Sequence, residues 1–317
     1  MATITIPEPL PSPVEDSEAL RKAVQGWGTD EKAIIRILGR RNATQRSKIC
    51  EAYQQLYQES LLDRLDSELS GDFRNAVIQW TLDPVQRDAK MAKEALKSKD
   101  PKRLLVLVEI ACASTPDHLI AVRRAYCSLF KCSLEEDIIL HAEPPFRKLL
   151  VSLVSAFRFD EAEVDEAVAQ KEATALQEAI KRNATDEDHV VWILSTRNKF
   201  QLRTAFECYS KIYEISIDED VKNSISGDLE SLLATAIRCI HSPEKHFAQV
   251  IRKSIEGLGT DEDSLTRAIV MRAEVDMQRI KEEYQEAYKV KLADDVIGDT
   301  SGDYKDILLA LIGEDNL

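Results

Sequence analysis

The chain is poor in the residues that interrupt helices, with only ten glycines and ten prolines in 317 positions, which argues for a helix-rich protein with almost no strand. No run of the sequence is long and apolar enough to span a bilayer. The longest, Leu104 to Ala113, is half the ~20 residues a span requires and contains Glu109. Residues 1–13 hold prolines in place of a basic stretch followed by an apolar run, so no signal peptide is expected and the protein should be cytosolic. The six cysteines form no CxxC pair and no secreted framework, which fits reduced thiols. Positive charge is also scarce. With 42 Lys and Arg against 56 Asp and Glu, the net charge of −14 disfavours nucleic acid, and it disfavours an anionic membrane unless a cation bridges the two.

The motifs of several enzyme classes are missing as well. No GxxxxGK[ST] is present to cradle phosphates. The five histidines, His118, His141, His189, His241 and His246, show no metal spacing and accompany no GxSxG or Cys/His pattern. Asp261-Glu262-Asp263 lacks the glycine and the position-12 acid of an EF-hand.

What the chain does contain is a repeated loop. Val24-Gln25-Gly26-Trp27-Gly28-Thr29-Asp30-Glu31 returns 231 residues later as Ile255-Glu256-Gly257-Leu258-Gly259-Thr260-Asp261-Glu262. Two glycines separated by one residue allow a tight turn with carbonyl oxygens aimed outward. The Thr and acids next in the chain suit a helix N-terminus, so each stretch reads as helix, glycine loop, helix. A carboxylate lies 40 residues beyond the second glycine in both copies, Glu68 and Asp299, just before the turns Ser70-Gly71-Asp72 and Ser301-Gly302-Asp303. A Gly-x-Gly loop alone is often only a helix C-cap. Loop and acid reproduced together at one spacing form an all-oxygen set, which suits Ca²⁺ better than Zn²⁺ or Mg²⁺.

These residues carry a resemblance. The Gly-x-Gly-Thr loop, the acid 40 residues on and a repeat of roughly 70 residues are similar to the type II calcium site of the annexin family, and the likeness runs from about Val14 to Gly313. Sites kept only in the first and last repeats, with Trp27 in the first loop, make plant annexins the most similar.

Self-alignment supports four repeats. Ile37-Leu38-Gly39-Arg40-Arg41-Asn42 matches Ile193-Leu194-Ser195-Thr196-Arg197-Asn198, and Arg272 takes the same place in the fourth. Ser226-Gly227-Asp228 repeats the turn before the last helix, whereas the second repeat has Glu143-Pro144-Pro145 there and Ser114 in place of the arginine. Ile34, Ile37 and Leu38 share one helical face, as do Ile49, Ala52, Tyr53 and Leu56. The expected fold is all-α, four repeats of about five short helices packed into one curved body. Its parts are a flexible arm 1–13, repeats 14–83, 86–157, 170–241 and 243–315, and an acidic linker 158–169 between halves.

The resemblance implies the ligands: the carbonyls of Val24, Gly26 and Gly28 with Glu68, and those of Ile255, Gly257 and Gly259 with Asp299. Glu31 and Glu262 either assist a second, weaker ion or serve only the helix dipole. The middle repeats depart from the pattern, with Lys99, Pro101 and His141 in one and Arg182, Ala184 and Ser224 in the other, so both are expected to be calcium-free. The implied function is calcium-dependent, reversible binding to anionic phospholipid, the open valence of the ion taking a headgroup oxygen. Trp27 and Leu258 would then either enter the bilayer interface or pack on their own repeat. Lys97, Lys99, Lys102, Arg103, Lys181 and Arg182 fall on the side that the family turns to the membrane.

Other readings of the resemblance are weaker. A haem-peroxidase activity suggested for plant annexins uses a histidine that aligns with Arg40 here, and Asp299-Thr300-Ser301-Gly302 is a short match to a nucleotide-binding tetrapeptide. A nucleotide phosphohydrolase therefore stands as the alternative to a non-enzymatic binding protein. Cys112 and Cys239 occupy the places of a proposed redox pair, though Val108 replaces the methionine that accompanies it. Ile35-Arg36-Ile37 resembles an actin-binding tripeptide.

Overall fold

The computed structural model describes residues 1–26, 28–98, 100–155, 157–182, 188–225, 227–257 and 259–314, and the backbone alone at 145. Among these residues there are twenty α-helices, one short 3-10 turn and no strand. The helices fall into four sets of five. The first set is α1 Pro13–Ala23, α2 Glu31–Leu38, α3 Ala43–Tyr57, α4 Leu61–Glu68 and α5 Gly71–Thr81. The second is α6 Pro84–Lys97, the 3-10 turn Pro101–Leu104, α7 Leu105–Ala113, α8 Pro116–Phe130, α9 Leu134–His141 and α10 Pro144–Ser155. The third is α11 Glu166–Lys181, α12 Asp188–Thr196, α13 Lys199–Tyr213, α14 Ile217–Ser224 and α15 Asp228–His241. The last is α16 Pro243–Ile255, α17 Glu262–Arg272, α18 Met277–Tyr288, α19 Leu292–Asp299 and α20 Gly302–Leu311.

Capping side chains explain where several helices begin. Asn42 accepts from the Gln45 N–H while Gln45 reaches back to the Asn42 N–H, a reciprocal pair that starts α3. The third helix of every set ends on a left-handed residue without glycine, at Gln58, Lys131, Glu214 and Lys289, so a conformation that costs about 1 kcal/mol recurs at each repeat.

The chain forms two compact units. The first joins residues 1–84 to 247–317, which places the first repeat with the fourth. Its core is built from α2, α5, α17 and α20, with Ile34, Ile35, Leu38, Trp80 and Ile307 buried. Trp80 donates to the Leu38 carbonyl at 2.7 Å and carries the Arg46 guanidinium 3.6 Å from its ring centre. Leu56, on the buried face of α3 by periodicity, is 45% exposed, because the helix ends one residue later.

The second unit, residues 85–246, combines the second and third repeats around α7 and α15. The apolar run 104–113 is apolar on all sides because α7 is buried on all sides, and Glu109 within it accepts from or donates to His246 Nε2 at 2.9 Å.

Two sequence expectations change. The segment 158–169 does not join the two units; it lies inside the second one, and its residues 166–169 are already the first turn of α11. Polar groups pin it there: Arg158 is buried and donates to Arg197 O and Leu194 O, and Gln201 Oε1 accepts from the Asp165 N–H. The arm before α1 is not free either. Thr3 donates its N–H to Ala273 O at 3.1 Å and its hydroxyl to Leu311 O at 2.6 Å, satisfying carbonyls left open at helix C-termini. Gly313 makes room for this contact, since a Cβ there would stand 2.5 Å from Thr3 O.

In the second repeat the residue in place of the arginine of the other three is met by a lysine of the third repeat. The Ser114 carbonyl accepts from Lys199 Nζ at 2.5 Å, and burial, aided by Arg158 and Arg203, lowers the Lys199 pKa from an ordinary 10.5 to about 8. A depressed folded-state value means stability that is present above pH 10.5 and is lost as pH falls through about 8. Competitive acetylation should therefore give Lys199 a midpoint near 8, and Lys199→Met should flatten the rise in melting temperature between those two pH values.

Candidate functional site

The loops α1–α2 and α16–α17 have the same construction. Val24 and Ile255 are buried and anchor each loop to its unit. The Asp30 N–H donates to Ala23 O at 2.8 Å and the Asp261 N–H to Ser254 O at 2.7 Å, closing both loops in the same way. Between these points the backbone turns left-handed at Gly26 (φ 108°) and Gly28 (φ 87°), and at Gly257 (φ 126°) and Gly259 (φ 94°). A Cβ would meet nothing at any of the four, so conformation and not space demands glycine. Asp30 and Asp261 then cap α2 and α17, accepting from the N–H groups of Ala33 and Ser264. Glu31 and Glu262 open those helices. Trp27 and Leu258 lie outside the described residues.

The fold brings the distant acids to these loops. Glu68 and Asp299 end α4 and α19. In the fourth repeat, the Thr260 hydroxyl lies 3.0 Å from Asp299 Oδ2 and 3.2 Å from Asp299 O, linking loop to acid directly. In the first, the link is a side chain that sequence reasoning missed. Arg64 Nη2 donates to Val24 O at 2.9 Å and stands 3.1 Å from Glu68 Oε1. The signal was available four residues before each acid position, where the other repeats have Asp137, Asp220 and Asp295.

The donor set fits a hard cation. Loop carbonyl and carboxylate already surround a positive group at the first site, the guanidinium standing in for an ion. Among the described residues no three His, Cys, Asp or Glu side chains converge, so any ion would depend on backbone oxygens, as Ca²⁺ tolerates and Zn²⁺ does not.

Among the described residues the middle repeats show no such set. In the second, Asp100 accepts from the Lys102 N–H, Lys97 pairs with Glu94 at 2.7 Å, Arg103 lies in the 3-10 turn, and His141 Nδ1 is 2.9 Å from Asp137 O. Lys99 lies outside the described residues, as do 183–187. In the third, Lys181 is exposed, Arg182 Nε donates to Glu178 O, and Ser224 donates to Asp220.

The remaining candidates are mostly buried. Cys112 on α7 and Cys239 on α15 are buried and form no disulfide, and burial pushes the Cys112 thiol up, against the opposing pull of Arg158 and Lys199. Of Ile35-Arg36-Ile37 on α2, Ile35 is fully buried and Arg36 exposed. No helix among the described residues is long and apolar enough to cross a membrane.

Comparison with known proteins agrees with this architecture. The Annexin family model matches four times, at residues 15–80, 87–153, 171–236 and 246–311. Annexin D3 of Arabidopsis thaliana is 52% identical, covering 99% of both chains. Among solved structures, annexin III superposes with a TM-score of 0.91 at 34% identity, covering 99% of this chain and 98% of that one. A calcium-bound annexin (Sm)1 superposes with a TM-score of 0.85 at 30% identity, covering 100% of this chain and 94% of that one.

Proposed function

The chain belongs to the annexin family, and from that premise we propose that it binds anionic phospholipid reversibly through calcium held at the loops of its first and fourth repeats. Family and fold support calcium-dependent phospholipid binding in general. The observation that carries the finer reading is the meeting of loop and acid at these two places. Bound calcium would supply the positive charge that joins an acidic chain to an acidic headgroup. The chain contributes the oxygens: carbonyls of Val24, Gly26 and Gly28 with Glu68, and of Ile255, Gly257 and Gly259 with Asp299. Positive φ at the glycines turns the loop backbone, and Thr260 holds Asp299 in place.

On this reading the protein is a cytoplasmic binding protein, peripheral on membranes when calcium rises, and not an enzyme. The nucleotide reading would have to use Asp299, whose carboxylate already accepts from the loop hydroxyl of Thr260. Sedimentation with phosphatidylserine vesicles in calcium and in EGTA, beside a GTPase assay on the same preparation, separates the two. Calcium-dependent pelleting without hydrolysis is expected; hydrolysis without pelleting would reverse the assignment.

The middle loops would add a calcium-free attachment. Lys97, Lys99, Lys102, Arg103, Lys181 and Arg182 could each contribute on the order of 1 kcal/mol near an anionic surface, decaying over a Debye length. A salt-sensitive bound fraction is expected in EGTA at low salt, lost when all six become Gln. Absence of wild-type binding at low salt would leave the two calcium loops as the only anchors.

A further inference from the structure

We propose that Arg64 is an intramolecular competitor of calcium at the first loop, so that the fourth loop fills at lower calcium than the first. This rests on the reading of both loops as calcium sites.

Each repeat carries a tyrosine eleven residues before the position that Arg64 occupies: Tyr53, Tyr126, Tyr209 and Tyr284. In three repeats the tyrosine donates to an aspartate there, Tyr126 to Asp137 at 2.5 Å, Tyr209 to Asp220, and Tyr284 to Asp295 at 2.6 Å. In the first repeat the aspartate is replaced by Arg64, and Tyr53 accepts from Arg21 at 3.1 Å instead. The replacement turns a negative side chain held away from the loop into a positive one laid across it. Arg64 Nη2 contacts Val24 O and Glu68 Oε1, two of the oxygens assigned to the ion, while its Nε is buried without a hydrogen-bond partner.

Calcium approaches its oxygens to 2.3–2.6 Å. Two cations on the same carbonyl and carboxylate would stand about 4–5 Å apart, where repulsion is strong. Arg64 must therefore leave as the ion enters, and the lost pair, about one-quarter exposed on each side, weakens apparent affinity by about two- to fivefold. Among the described residues the fourth loop shows no such competitor. Asp295 is turned to Arg252 and Tyr284, and Asp299 accepts from the neutral Thr260 hydroxyl.

Terbium tests this without vesicles. Tb³⁺ binds calcium sites, and Trp27, between the two glycines of the first loop, can sensitise its luminescence; a Trp27→Phe control identifies that signal. In an Asp299→Asn background, Arg64→Gln should lower the half-saturating Tb³⁺ about two- to fivefold, with the melting temperature in EGTA lowered by no more than about 2 °C. Arg74→Gln removes a nearby charge that pairs with Asp66 instead of the loop, and should leave the midpoint in place. Equal midpoints for Arg64→Gln and its parent, or an equal shift from Arg74→Gln, would overturn the competition. A Trp27-dependent signal that survives Glu68→Gln in the same background would overturn the calcium assignment itself.

Discussion

Replacing Glu68 with Gln and Asp299 with Asn together should move calcium-dependent pelleting with phosphatidylserine vesicles to roughly a hundredfold more calcium. Each change keeps side-chain shape but removes the one carboxylate proposed for its site, and oxygen sites for calcium vary over decades in affinity with ligand charge. Folding should be nearly untouched. Among the described residues Glu68 pairs only with the half-buried Arg64, an interaction worth about 1 kcal/mol or less, and an asparagine oxygen can still accept from Thr260. The melting temperature in EGTA should thus fall by no more than about 2 °C. If Arg64 already weakens the first loop, Asp299→Asn alone should account for most of the shift. Wild-type calcium dependence in the double variant would remove both loops from the mechanism.

Why the loops were legible and Arg64 was not comes down to the trace each leaves in the sequence. A left-handed turn at Gly26 and Gly28, repeated at Gly257 and Gly259, can be written only with glycine at little cost, so the constraint is visible as letters. The acids are visible because one helical repeat sets one spacing. Arg64 leaves a weaker trace, a cation where the other repeats have Asp137, Asp220 and Asp295; on the short helix α4 it reads as an ordinary surface cation, and only its reach to Val24 O, 40 residues back, gives it a role. The arm was misjudged for the same reason, since the partners of Thr3 lie 270 and 308 residues away. The pairing of the first repeat with the fourth was equally hidden. Helical periodicity tells which face is apolar, not which other apolar face will cover it.

Asp16→Ala should strongly destabilise the first unit. Asp16 on α1 accepts from Arg41 Nε and Nη2, both at 2.7 Å, and each residue is at least 95% buried. Arg41 also anchors the start of α3: its carbonyl accepts from Arg46 at 2.6 Å, and Arg46 reaches Glu274 of the fourth repeat at 2.8 Å and stacks on Trp80. Removing the carboxylate leaves a guanidinium buried without its counter-charge, at a cost of about 3–5 kcal/mol. For a unit of this size that corresponds to roughly 6–15 °C in the transition of the first unit, measured in EGTA. Replacing Asp16 and Arg41 together by leucine should recover most of the loss, because two apolar side chains need no partner. The counterpart in the third repeat gives a graded control. Arg197 pairs with Glu172 but is 35% exposed on its side chain, so water can take the place of the lost partner and Glu172→Ala should cost clearly less. A loss under about 1 kcal/mol for Asp16→Ala would mean that Arg41 is solvated once its partner is gone and that the pair is not what ties α1 to the junction of α2 and α3.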